Sequence, residues 1–147
     1  MANGIPKRSL VRKIARTERA FSPAEIVAAL RAAGSRLSPT FLDRKYYGVP
    51  EDVWTDILQY TGVDAGQYRS ERYDCDDFSK AFAAACGRKL GLNGVGIVVD
   101  MSAGHAYNVI LVNDGGGCKV AFVEPQNDRL IFAPRPGYSQ TSGFIWF

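Results

Sequence analysis

Three side chains that could act together in thiol chemistry follow one another along the chain: Cys75, His105 and Glu124. His105 is the only histidine among 147 residues, so any imidazole-dependent step must use it. Cys75 stands at the predicted first turn of a helix, where free backbone N–H groups and the helix dipole favour a thiolate. Covalent acyl transfer requires a nucleophile, a base and an acid that orients the base. The order of the three residues predicts those roles.

A turn signal brings two of these residues together. The run Asn-Asp-Gly-Gly-Gly at 113–117 predicts an antiparallel hairpin. If all five residues form the loop, His105 lies opposite Pro125, and a slip of one residue makes its partner Glu124 or Gln126. Because directly opposed side chains in such a ladder lie about 5 Å apart, a carboxylate can orient the imidazole there.

Acidic residues crowd the proposed nucleophile. Asp74, Asp76 and Asp77 flank Cys75 and oppose its ionisation by like-charge repulsion. A cation would cancel that repulsion, and Asp76, Asp77 and the amide oxygen of Gln126 are the oxygen ligands that calcium takes. The alternative is that these acids cap a helix. The chain has neither several histidines nor a Cys-x-x-Cys pair, so we expect no zinc or iron site.

The elements that position these residues change in character near Leu90. Helical patterns with caps and apolar stripes precede it, and they predict helices from Ser22 to Ala33, from Pro50 to Gly62, and from Asp74 or Cys75 to Gly87. β-Branched runs follow it, and they predict strands at 95–100, 106–112, 119–123, 129–132 and 143–147. Helices first and an antiparallel sheet afterwards predict an α+β domain over residues 1–147.

Residues 1–20 form a basic N-terminal arm. Six basic residues against Glu18 give this arm a charge of +5, although the whole chain carries only +3. Leu10, Ile14, Thr17 and Phe21 recur at helical spacing, which predicts a docked helix with a solvated outer face. The alternative is that the arm contacts nucleic acid or another anionic surface.

The composition is that of an ordinary soluble domain, with 46% hydrophobic and 22% charged residues. No run of 18 apolar residues and no signal-like segment occurs, so we expect neither membrane insertion nor export, and a cytoplasmic location. The three cysteines are an odd number, which argues against a disulfide framework.

Three short motifs carry a family resemblance: Asp74-Cys75-Asp76-Asp77-Phe78, Gly104-His105-Ala106-Tyr107-Asn108 and Glu124-Pro125-Gln126. They resemble the papain-like and transglutaminase-like cysteine peptidase superfamily, most closely the calcium-dependent C-terminal cysteine-peptidase domain of lectins of the Marasmius oreades agglutinin type. The resemblance implies a papain-like α+β fold, Cys75 as nucleophile, His105 as base, Glu124 as orienting acid, and calcium near the acids and Gln126. The helical residues before the motifs do not look like the sugar-binding trefoil of those lectins, so carbohydrate binding is not implied.

Residues and resemblance together predict a cysteine peptidase-like hydrolase that depends on calcium. His105 would deprotonate Cys75, and the thiolate would attack a peptide or protein amide while Glu124 holds the imidazole. The alternative is a non-catalytic binding module on a papain-like scaffold, with the basic N-terminal helix holding a partner or nucleic acid. We do not expect nucleic acid in the site, because the acids around Cys75 repel phosphate.

Overall fold

The computed structural model describes residues 4–131 and 133–147. Its helices are α1 (Lys7–Thr17), α2 (Pro23–Ala32), α3 (Glu51–Thr61) and α4 (Cys75–Ala85). Its strands are β1 (Arg19–Phe21), β2 (Ser38–Thr40), β3 (Tyr46–Gly48), β4 (Val95–Asp100), β5 (His105–Asp114), β6 (Gly117–Glu124), β7 (Arg129–Ile131) and β8 (Gly143–Trp146). No helix among the described residues is long and apolar enough to span a membrane.

The helices form where caps and stop signals predict them. Ser22 caps α2, since its hydroxyl accepts from the Glu25 N–H at 3.3 Å while the Glu25 carboxylate accepts from the Ser22 N–H at 2.8 Å. This is the reciprocal capping box. Helix α3 ends where Gly62 adopts φ +61°, a conformation that glycine reaches without a steric penalty. The predictions of α2 and α3 are confirmed.

Helix α4 carries the proposed nucleophile as its first residue and buries Phe78, Ser79 and Phe82. It continues into a π-helical turn, Cys86–Leu90, that ends at Gly91. The helix packs on β4 and β5. The Asn108 side-chain amide of β5 donates to the Ser79 carbonyl at 3.0 Å, which fixes the helix along that strand.

The strands run in the order β2-β8-β4-β5-β6-β7, and β4 to β7 form an antiparallel meander. The predicted hairpin exists, but its loop has two residues rather than five, because Asp114 pairs with Gly117. Gly115 and Gly116 have φ +59° and +96°, as a tight turn of this hand requires. Phe132, the predicted end of β7, lies outside the described residues.

The prediction of helices followed by a wholly antiparallel sheet is wrong. Strands β1, β2 and β3 lie in the first half of the chain, and β2 joins the edge of the large sheet in parallel with β8. Strands β1 and β3 form a separate antiparallel pair. Three-residue strands show too little periodicity to be recognised, and they form only because a distant partner supplies the hydrogen bonds.

Apolar clusters cover both faces of the large sheet. Even-numbered residues of β5, such as Ile110, face α1, α3 and α4, whereas odd-numbered residues such as Val109 pack on the side of α2. Trp54 is fully buried and its indole N–H donates to the Leu111 carbonyl at 2.8 Å, which ties α3 to β5. Lys13 joins α1 to α3 through Asp56 at 2.8 Å.

Candidate functional site

The His105 side chain meets the Glu124 side chain at the end of the sheet. His105 Nε2 and Glu124 Oε2 lie 2.6 Å apart, and the two side chains are 22% and 8% exposed. Regular pairing of β5 with β6 ends at Asn108 and Val123, so both residues lie beyond the last ladder pair. The two residues are therefore together, as the hairpin predicts.

Two further residues hold Glu124. The Tyr138 hydroxyl donates to Glu124 Oε2 at 3.0 Å, and the Gln126 backbone and side-chain N–H groups approach Oε1 at 3.4 and 3.3 Å. Burial raises the pKa of Glu124, but the hydrogen bond and charge of His105, the Tyr138 hydroxyl and the Gln126 N–H together lower it below its ordinary value. Glu124 is thus a buried carboxylate whose charged form is stabilised by its neighbours.

A buried carboxylate behind the pair positions Tyr138. Asp100 is fully buried and accepts from the Tyr107 hydroxyl at 2.8 Å and from the Gln140 N–H at 3.0 Å. The Tyr138 ring lies 5.6 Å from the His105 ring and 5.0 Å from the Tyr107 ring, centroid to centroid. Asp100 therefore links β4, the start of β5 and the loop that carries Tyr138.

Sequence reasoning missed both Asp100 and Tyr138. An aspartate at the end of the apolar strand β4 is a detectable signal, because a buried carboxylate requires several donors. Tyr138 gave no signal, since it lies in a Pro- and Gly-rich segment whose path depends on contacts with residues that are distant in sequence.

Cys75 is a free, half-buried thiol at the start of α4. It lies one helical turn before Ser79, whose hydroxyl donates to the Cys75 carbonyl at 2.8 Å. Within residues 4–131 and 133–147, no hydrogen bond joins Cys75 to His105 or Glu124. Helix α4 packs on the face of β5 that carries Asn108, whereas His105 shares the opposite face with Tyr107. The chemical roles assigned to Cys75, His105 and Glu124 stay predictions.

The acids around Cys75 form a cluster. Ligand atoms of Asp74, Asp76 and Asp77 all lie within 4.8 Å of one another. Lys80 contacts Asp76 at 2.6 Å and Asp77 at 3.0 Å, and this contact lowers the pKa of Asp76. The neighbouring Asp76 carboxyl group raises the pKa of Asp74. Asp76 and Asp77 are brought together as predicted, whereas Gln126 contacts Glu124.

A second surface, which the sequence did not indicate, lies at the β2–β8 edge of the large sheet. Trp146 is 60% exposed and Leu42 is 85% exposed. With Thr40 they line a hollow of about 210 Å³ at the β2–β8 edge. Phe144 lies beside Trp146, with ring centroids 6.1 Å apart. We call Thr40, Leu42, Phe144 and Trp146 the aromatic platform.

Comparisons with known proteins point to lectins. The family model described as ricin-type beta-trefoil lectin C-terminal domain matches residues 17–145. A crystal structure of Polyporus squamosus lectin bound to the human-type influenza-binding epitope Neu5Aca2-6Galb1-4GlcNAc is 26% identical with a TM-score of 0.68. It aligns with 87% of this chain and 49% of its own. A structure of the PSL1a-E64 complex is 28% identical with a TM-score of 0.64, and covers 87% of this chain and 51% of its own.

The chain thus spans about half the length of these two similar structures. No curated protein matches it in sequence.

These comparisons overturn several predictions. The resemblance to papain-like and transglutaminase-like cysteine peptidases, the papain-like fold, the hydrolase activity and the peptide or protein amide substrate are wrong, because the family model and both similar structures point to lectins. The motifs behind that resemblance are short and cover roughly residues 73–128, and short motifs recur in unrelated settings. The lectin model instead extends over most of the sequence, and this chain belongs to the ricin-type beta-trefoil lectin C-terminal domain family.

Proposed function

We propose that this chain is a non-catalytic carbohydrate-binding module. The observation that carries the proposal is the family match over residues 17–145. The similar Polyporus squamosus lectin is bound to a sialylated oligosaccharide, which suggests the class of ligand to test here.

The aromatic platform suits a sugar. A pyranose ring has an apolar C–H face and a rim of hydroxyl groups, so it pairs with a flat aromatic side chain flanked by a polar one. Trp146 supplies an exposed indole, and Thr40 supplies a hydroxyl that can both donate and accept. A large aromatic side chain left 60% exposed beside other apolar groups is typical of a binding surface.

The proposal is tested by calorimetric titration with Neu5Acα2-6Galβ1-4GlcNAc. We expect binding by the unaltered chain and about tenfold weaker binding by Trp146→Ala, equivalent to about 1.4 kcal/mol. Tyr68→Ala is the matched control, because Tyr68 is an exposed aromatic residue (55%) outside the platform, and it should leave affinity unchanged. Equal affinities in Trp146→Ala and the unaltered chain would show that the platform is not the site. Failure to bind this or any oligosaccharide on a glycan array would overturn the function.

A second ligand position is suggested by Cys75, the thiol at the start of α4. PSL1a forms a complex with E64, so we propose E64 as a ligand of this chain too, bound at Cys75. Intact-mass and calorimetric measurements with E64 should detect binding that Cys75→Ala weakens and Cys118→Ala does not. E64 binding that is unchanged in Cys75→Ala would exclude this position.

The acidic cluster is proposed to hold a hard cation. Its donors are all carboxylate oxygens, the preferred ligands of calcium, and Lys80 only partly balances three acids. Asp76 and Asp77 would bind the ion, and Asp74 is the third carboxylate of the cluster. The ion would supply positive charge beside Cys75.

A further inference from the structure

Helix α1 presents a row of arginines to solvent. Arg8, Arg12 and Arg16 are exposed and spaced four residues apart. Four residues of an α-helix turn through about 400° and rise about 6 Å, so the three side chains follow one another along one face over about 12 Å. We call these three residues the arginine ladder.

The opposite face of α1 is committed to the core. Leu10 is fully buried and Ile14 is 3% exposed, and both belong to the apolar cluster under α3. Lys13 is engaged by Asp52 at 2.9 Å and by Asp56 at 2.8 Å. The helix is therefore fixed in orientation, and the ladder points away from the domain.

The ladder carries uncompensated charge. In the part of the chain that the structure describes, the ion pairs involve Lys13, Lys80, His105 and Lys119, and none of them engages an arginine of the ladder. An open hollow of about 310 Å³ runs beside Arg12 and Arg16, with Ser9 and Thr17 also on its wall. The two arginines, with the Ser9 hydroxyl as a further donor, are suited to carboxylate or sulfate oxygens, whereas the Thr17 hydroxyl already donates to the Lys13 carbonyl at 2.7 Å.

We propose that the arginine ladder binds a linear acidic polysaccharide that carries carboxylate or sulfate groups. The inference extends the proposed carbohydrate binding to a second surface and a charged class of ligand, and it rests on that function only for the choice of ligand class. A repeating polyanion can contact all three arginines at once because their charges are regularly spaced along one line.

Features of the same helix disfavour other polyanionic partners. A membrane would need an exposed apolar face, but the apolar face of α1 is buried in the core. Single-stranded nucleic acid binding uses aromatic side chains for base stacking, and α1 has the sequence KRSLVRKIART, without an aromatic residue. These features favour a ligand that is recognised by its negative charges and their spacing.

The test is a calorimetric titration with heparin at low and at physiological salt. We expect binding that weakens steeply with salt, and a loss of at least about thirtyfold in Arg8→Gln/Arg12→Gln/Arg16→Gln, because three charge contacts disappear. The control Arg36→Gln/Arg44→Gln/Arg88→Gln removes the same charge from exposed positions elsewhere and should change affinity less than about threefold. The thermal midpoint of each variant shows that it remains folded.

Two further measurements separate the possible results of this titration. Trp146→Ala should retain full heparin affinity, so failure of the aromatic platform and failure of the ladder are distinguishable. Double-stranded DNA of equal charge should bind more weakly than heparin. Equal losses in the two triple variants, or DNA binding as tightly as heparin, would overturn the proposal.

Discussion

His105 and Glu124 contact each other at 2.6 Å although the ladder between their strands ends at the Asn108–Val123 pair, three residues away from His105 along β5. Backbone pairing therefore brings the two residues to the same end of the sheet without fixing their side chains. The fixing comes from Tyr138 and Gln126, which both donate to Glu124. The pair depends on a loop that follows the last strand of the meander as much as on the hairpin.

Replacing Glu124 with Gln should lower the free energy of unfolding by about 2 kcal/mol, because the amide is uncharged and only one of its two terminal atoms accepts hydrogen bonds, so either the His105 and Tyr138 side or the Gln126 side loses its acceptor. Tyr138→Phe removes one of these hydrogen bonds and should cost about 1 kcal/mol. Urea denaturation at neutral pH measures both changes. A double variant should show a loss smaller than the sum, since the two residues share one contact.

The matched control is Tyr68→Phe, which removes a hydroxyl from an exposed tyrosine and should be neutral. If Glu124→Gln is as stable as the unaltered chain, the contacts around Glu124 do not contribute to folding.

Much of the secondary structure was predictable because local signals were strong. The Ser22–Glu25 capping box, the stop at Gly62 and the glycine turn at 115–116 each act within a few residues. The predicted register differs from the observed one by one residue, because a loop over 113–117 would pair Val112 with Cys118, whereas Val112 pairs with Lys119. A run of three glycines does not show which two of them form the turn.

Contacts between distant parts of the sequence were not predictable. Strand β2 forms because it pairs with β8 in parallel. Asp100 can be fully buried because hydrogen-bond donors from residues 102–107 and 140 surround its carboxylate. For the site, spacing predicted that His105 lies beside the segment Glu124–Gln126, but it left open which of the three residues is its partner. It also could not show which face of β5 is covered by helix α4. The predicted function was wrong for a related reason. Short motifs indicated thiol hydrolase chemistry, whereas the family model that matches residues 17–145 is that of a lectin domain.

The three thiols should differ in their rate of alkylation. Burial raises the pKa of Cys86 to about 12, and burial together with the charge of Glu25 raises the pKa of Cys118 to about 11. Cys75 is half-buried at a helix N-terminus, so it should react first with iodoacetamide near neutral pH. Peptide mass spectrometry over time gives the three rates in one sample, and Cys75→Ser should remove only the fastest phase. Equal rates for Cys75 and Cys86 would contradict this order.

Asp100 should make folding sensitive to acid. Burial raises the pKa of Asp100, but hydrogen bonds from Ser102, Gln140, Tyr107 and Ala103 lower it below its ordinary value in the folded chain. Its charged form thus contributes stability that is fully present above the unfolded pKa of about 3.9 and is lost as pH falls through the folded value. Asp100→Asn should destabilise the chain by about 2 kcal/mol at neutral pH and flatten the acid side of the stability profile.

Urea denaturation at a series of pH values measures this profile. Asp114→Asn is the control, because Asp114 is an exposed acid paired with Lys119, and its profile should match that of the unaltered chain. An unchanged acid limb in Asp100→Asn would show that another carboxylate governs the loss of stability.

Calcium should raise the thermal midpoint if the acidic cluster binds it, because a ligand that binds only the folded chain stabilises it by about 2.7 kcal/mol at a hundred times its Kd. Asp76→Asn/Asp77→Asn should abolish this response, while Asp43→Asn/Asp114→Asn, which removes two exposed acids elsewhere, should retain it. Lys80→Met should strengthen the response, since it removes the cation that now pairs with both aspartates. Differential scanning calorimetry with calcium and with chelator measures each midpoint. If the unaltered chain has the same midpoint in both solutions, the cluster does not bind calcium and Lys80 is the cation that balances its charge.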